Sequence, residues 1–165
     1  MTNMPNVVLM RCATAEHRQG SGPESLRTER SAMTATSDYQ LDDRYQTDEG
    51  TVFLTGIQAL ARLPLEQLRA DRRAGLNTAA FVSGYQGSPL GGYGQAVEAA
   101  ARIERDLPVI FRQAMNEEYG ATAVMGSQLA SAQPDARHDG VVGIWYGKAP
   151  GVDRAADALR HAVYA

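Results

Sequence analysis

Three observations predict an α/β fold with a parallel sheet. Short apolar runs at 77–83, 109–111 and 140–146 have the length and composition of buried strands. Between them stand segments with helical spacing, and strands joined through helices pair in parallel by right-handed crossovers. Each run also ends in a loop of glycines or capping residues, at 84–92, 112–117 and 147–151. Ligands of open α/β sheets gather outside the carboxyl ends of the strands, so all three loops are expected on one rim.

The elements follow in chain order. Residues 1–38 are rich in Ser, Thr, Arg and Gly, carry no period, and read as a disordered extension. Their acids, Glu16, Glu24 and Glu29, argue against an organellar address. From Thr51 to Gly75, apolar residues at Phe53, Leu54, Ile57, Leu60, Ala61, Leu65 and Leu68 follow helical spacing. Pro64 lacks an amide hydrogen, which predicts two short helices, 55–63 and 64–74, with Gly75 as the closing cap. The first strand comes next, then the glycine loop and a helix over 92–105 that Pro108 stops, then the second strand. Asn116 is placed to cap a helix from Glu117 to about Ser131, whose Gly120, Ala121, Ala123 and Gly126 permit close packing. The third strand and a last helix, 152–164, complete the pattern.

Bulk properties narrow the function. A chain of 165 residues is long enough for one domain with a real core. The net charge is −3, Lys148 is the only lysine, and the arginines alternate with acids as on solvated helix faces, so nothing points to nucleic acid. Cys12 is the only cysteine, which excludes an internal disulfide, a cysteine zinc site and any cluster held by this chain alone, and fits a cytoplasmic setting. No apolar run approaches the ~20 residues of a membrane span.

The loop 84–92 carries the most chemistry. Its glycines, Gly84, Gly87, Gly91 and Gly92, let backbone approach a ligand, and Pro89 stiffens the turn. Such a loop offers amides and a helix start to an anion or a polar ring, and a plain strand-to-helix turn is equally open. It is neither a dinucleotide fingerprint nor, with Gly87 directly before Ser88, a nucleophile elbow. Glu117 stands in a first helical turn, where the dipole favours a carboxylate; a merely stabilising acid is the plain alternative. Around Lys148 the phosphate-loop pattern fails, since three residues rather than four separate Gly143 from Gly147 and Ala149 replaces the hydroxyl residue. His17, His138 and His161 have no ligand spacing, so no metal site is expected within the chain.

Five motifs in order carry a family resemblance: Phe53-Leu-Thr-Gly-Ile-Gln-Ala-Leu-Ala-Arg-Leu-Pro-Leu65, Gly75-Leu-Asn-Thr78, Ser83-Gly-Tyr-Gln-Gly-Ser-Pro-Leu-Gly-Gly92, Asn116-Glu-Glu118 and Trp145-Tyr-Gly-Lys-Ala-Pro-Gly-Val-Asp-Arg154. Over 39–165 the chain resembles the amino-terminal region of long-chain indolepyruvate ferredoxin oxidoreductases. Gln86 and Ala149 depart from the family's more frequent Arg and Gly, without removing a motif. The resemblance implies part of a thiamine-diphosphate-binding fold, a three-layer parallel-sheet domain, with 39–165 as a partial pyrimidine-binding domain. The implied activity is oxidative decarboxylation of an aryl-pyruvate type 2-oxoacid, with coenzyme A and ferredoxin as partners, in a cytoplasmic homo-oligomer.

The resemblance further implies that Glu117 hydrogen-bonds the aminopyrimidine of thiamine diphosphate as the catalytic acid. It places Gly84, Tyr85, Gly87, Ser88 and Pro89 beside the cofactor. Glu117 is preferred to Glu118 because Gly126 lies nine residues beyond it, an interval similar to that in related thiamine enzymes. Magnesium, the diphosphate site and the 4Fe-4S clusters are implied for parts of the family protein outside this sequence, so the chain reads as a fragment inactive alone. The alternative is a non-catalytic α/β ligand-binding or interaction domain.

Overall fold

The computed structural model describes residues 39–87 and 90–163, together with the backbone of 7–12. The elements are β1 (Val7–Cys12), α1 (Asp43–Gln46), β2 (Gly50–Thr55), α2 (Gly56–Arg73), β3 (Thr78–Gly84), α3 (Tyr93–Ile103), β4 (Val109–Gln113), α4 (Glu117–Gln128), β5 (Gly140–Tyr146), α5 (Ala149–Arg154) and α6 (Ala156–Ala162). A 3₁₀ turn at Ala130–Ala132 follows α4.

Strands β4, β3 and β5 form a parallel sheet in that order, with Ala80 opposite both Val109 and Val142. The fold is therefore α/β with the parallel pairing that strand–helix alternation requires. Side chains alternate across a strand, and the two faces of this sheet meet different helices. Ala80 and Val82 of β3 and Tyr146 of β5 join Ala61, Leu65 and Leu68 of α2 and Val97 and Ala100 of α3 in the main core. The opposite face meets α4: a Cβ on Gly143 would lie 2.9 Å from Val124 Cγ1.

The segment before β3 departs from expectation in three ways. Residues 50–55 form a strand, paired antiparallel with Val7–Cys12, so Phe53 and Leu54 belong to no helix. Val52 and Leu54 are buried while Phe53 is exposed, a period of two that the overlapping helical spacing concealed. Val7–Cys12 also corrects the reading of 1–38 as a disordered extension for those six residues, whose partner lies some forty positions away; the rest of 1–38 lies outside the described residues.

Pro64, thirdly, does not split the helix: α2 runs unbroken over 18 residues. A proline at 64 leaves the Leu60 carbonyl without its usual amide donor, and the Tyr93 hydroxyl lies 3.5 Å from that oxygen. Pro64 is itself fully buried, so tertiary packing outweighs the lost helical bond. The start of α2 is fixed by a reciprocal capping box, Gln58 N–H to Thr55 Oγ1 at 3.3 Å and Thr55 N–H to Gln58 Oε1 at 2.9 Å.

Nor are all the arginines solvated. Arg62 and Arg69 are buried on α2. Arg62 donates to Glu66 Oε1 at 2.7 Å and to the carbonyls of Arg44 and Thr47. Arg69 donates to Glu66 Oε1 at 2.8 Å and to the Tyr45 carbonyl at 2.5 Å, and pairs with Glu104 at 3.1 Å. The two guanidinium groups thus bind the backbone of 44–47 to the helix. Finally, the expected last helix is two, α5 and α6, that meet at the fully buried Ala155. Among the described residues no helix is long and apolar enough to cross a membrane.

Candidate functional site

The three loops expected on one rim meet there. At the end of β3 the Gly84 carbonyl accepts from Ala114 N–H at 3.0 Å, and Tyr85 N–H donates to the Tyr146 carbonyl at 3.3 Å, which ties the first loop to the other two. Gly84 has no room for a side chain, since a Cβ there would lie 2.6 Å from Tyr146 Cδ1. Gly120, one turn into α4, would bring a Cβ to 2.9 Å from Gly84 Cα, so the helix rests on the end of the strand. Ala123 and Gly126, expected to serve the same close packing, are exposed.

Asn116 caps α4 as its residue type requires, accepting Tyr119 N–H on Oδ1 at 2.8 Å. Glu117 is therefore the first helical residue, among the free amides and the positive end of the dipole. Its side chain is only 8 % exposed and lies against Gly151, whose Cβ position would be 3.0 Å from Oε1. No hydrogen bond or ion pair reaches this carboxylate from the described residues. The only buried side-chain polar atom without a partner among the described residues is His138 Nδ1, so the Glu117 carboxylate oxygens reach the surface, where a donor from outside can meet them. Glu118 faces outward beside Asn116, Tyr119 and Thr122.

The other candidates lie around this acid. Tyr85 is partly exposed, and Gly87 lies under the stem of Lys148, whose Cδ is 3.3 Å from its Cβ position. Ser88 and Pro89 lie outside the described residues. Beside Gly147 opens an apolar cleft of about 350 Å³ between Leu60, Leu63, Leu90, Tyr93, Ile144 and Trp145. Tyr93 and Tyr146 meet edge to face at its base, with ring centroids 4.9 Å apart and planes at 84°. Burial, aided by the neighbouring Tyr146 phenol, pushes the Tyr93 hydroxyl up to about 12, and burial also raises Tyr146. Both phenols therefore stay protonated at neutral pH, and that of Tyr93 is turned to the Leu60 carbonyl as a donor.

Trp145 is the residue the sequence did not single out for a role. Its indole N–H donates to the Glu117 carbonyl at 3.0 Å, joining β5 to the first turn of α4. An apolar strand with one tryptophan signals burial, but the partner of its N–H, 28 positions away, has no local signature.

The described residues thus define an α/β domain with a buried acid at the carboxyl rim of its sheet. No family model matches the chain, and no curated protein or solved structure was found similar to it.

Proposed function

We propose that this chain supplies the pyrimidine-binding face of a thiamine-diphosphate-dependent 2-oxoacid ferredoxin oxidoreductase of the indolepyruvate type. Such an enzyme oxidises an aryl-pyruvate to acyl-coenzyme A. The observation that carries the reading is Glu117, a largely buried residue at a helix start whose carboxylate oxygens reach the surface and have no donor among the described residues. Support comes also from the five ordered motifs, three of which lie at the carboxyl ends of β3, β4 and β5, and from the parallel sheet that brings those three together. A flat heteroaromatic ring with a donor nitrogen suits this acid, the glycine backbone at 84–87 and the apolar cleft beside them.

When bound, thiamine diphosphate supplies the electron sink that loss of carbon dioxide requires. The part assigned to this chain is narrower. Glu117 accepts a hydrogen bond from the ring and holds or returns one proton at its carboxylate oxygen. Gly84 seats the strand end against Tyr146 and α4, Gly87 and Tyr85 carry the loop beyond it, and Ser88 and Pro89 are assigned to the cofactor on the resemblance alone. Magnesium and the 4Fe-4S clusters belong to other parts of the enzyme, as do the contacts with coenzyme A and ferredoxin.

The test is turnover by the holoenzyme, followed as reduction of ferredoxin or a viologen dye with indolepyruvate and coenzyme A. Activity should vanish when thiamine diphosphate is stripped and return when it is restored. Purified, cluster-loaded protein that neither binds thiamine diphosphate nor turns over a 2-oxoacid would leave the non-catalytic ligand-binding reading standing.

A further inference from the structure

The motif Gly147-Lys-Ala-Pro-Gly151 has no place in the chemistry above, yet it encloses the one buried acid of the rim. A Cβ at Gly151 would lie 3.0 Å from Glu117 Oε1 and 3.1 Å from Cδ. A Cβ at Gly147 would lie 2.9 Å from both Cζ2 and Cη2 of Trp145, and 3.6 Å from Glu117 Cγ. Neither glycine is needed for its backbone: the positive-φ glycines among the described residues are Gly50 and Gly75, so Gly147 and Gly151 have angles open to any residue. What glycine provides at these two positions is space. At Gly151 the space is taken by the Glu117 side chain, and at Gly147 by the indole that holds the Glu117 carbonyl. Pro150, in the first turn of α5, restricts the backbone that carries Gly151.

We infer that this loop is a socket that positions Glu117. Trp145 fixes the backbone from which the side chain hangs, Gly147 seats the indole, and Gly151 leaves the volume in which the carboxylate lies. Gly151, Gly147 and Trp145 are positioning residues, since they act through Glu117. The packing claim stands on geometry alone, whereas its catalytic consequence rests on the reading of Glu117 as the acid that meets the cofactor.

A methyl group at Gly151 would collide first with Glu117 Cγ and then with its carboxylate, so it can be accommodated only if that side chain moves by about 1 Å to restore ordinary contact. Thermal unfolding of the full chain, its Gly151→Ala and Glu117→Ala variants and the double variant tests the packing as a double-mutant cycle. Gly151→Ala should lower Tm by about 3 °C or more in the native background, as overpacking does, and by less than about 1 °C once Glu117 is alanine. Equal losses in the two backgrounds would overturn the socket. Should Gly151→Ala alone fail to fold, folding of the double variant upholds the coupling, and failure of both to fold refutes it.

In the holoenzyme, displacement of the acid by this amount should cut kcat on the order of 10²-fold. KM for the 2-oxoacid should stay within about twofold, since only a step made by Glu117 is affected. A loss borne by KM instead would contradict positioning. Absence of thiamine-dependent turnover in every variant would remove the cofactor reading, and the melts would still decide the socket.

Discussion

Tyr93 shows what one buried side chain does for both fold and site. Its ring is only 3 % exposed, its edge meets Tyr146, and its hydroxyl lies near the carbonyl that Pro64 leaves without a partner. Burial favours the neutral phenol, so its pKa rises from 10.0 to about 12 on folding. A group whose folded value is raised stabilises the fold fully below its unfolded value and loses that contribution as pH climbs through the folded one. Stability should thus fall between pH 10 and about pH 12, by about 2 kcal/mol from Tyr93 alone. Denaturant unfolding at a series of pH values, compared with Tyr93→Phe, measures this: the native protein should lose stability in that window faster than the variant. Parallel curves would show that the phenol does not titrate on unfolding. At this scale the sequence signals were uneven. Asn116 announced its cap through residue type, and Glu117 followed from it as a helix-start acid. That Glu117 is buried against Gly151, and tied through its carbonyl to Trp145, depends on contacts between distant segments and has no local pattern.

Helix α2 carries the most consequential departures at the scale of elements. Its apolar spacing was legible, and so were the strand β5, whose bounds match the apolar run 140–146, and the stop of α3 before Pro108. A proline costs an interior helix about 3 kcal/mol, which is why Pro64 predicts a break. Burial of the ring in the core offsets that cost, and such an offset is visible only once the neighbours are known. Arg62 and Arg69 looked like solvated charges for the same reason. Their buried guanidinium groups instead hold α1 and the chain after it, and removal of one should free that segment while leaving Glu66 and Glu104 with fewer partners. Arg69→Met is expected to cost about 3 kcal/mol, as breaking a buried charge pair does. It should also speed tryptic cleavage after Arg44, since α1 would then open without global unfolding. An unchanged cleavage rate would show that Arg62 and the packing of Tyr45 hold α1 without Arg69.

Across the whole molecule, the alternation of strand and helix places three loops at one end of one sheet, and this was the part of the architecture most plainly written in the sequence. The pairing order β4, β3, β5 and the antiparallel β1–β2 pair were not, because register and partner are set by long-range packing and not by local period. The candidate site was legible as a set of loops; the fit of Glu117 between two glycines became visible only in three dimensions. The central claim is that Glu117, and not its neighbour, is the acid of that site. Successive residues on a helix point about 100° apart, and here they differ in kind: Glu117 is buried in the rim while Glu118 faces outward. The most direct measurement is holoenzyme turnover of indolepyruvate in Glu117→Gln and Glu118→Gln, each of which keeps shape and removes charge. Glu117→Gln should lower turnover by on the order of 10²–10⁴-fold with a much smaller change in cofactor affinity, and Glu118→Gln should leave it nearly unchanged. Equal losses in the two variants, or a greater loss in Glu118→Gln, would contradict the assignment.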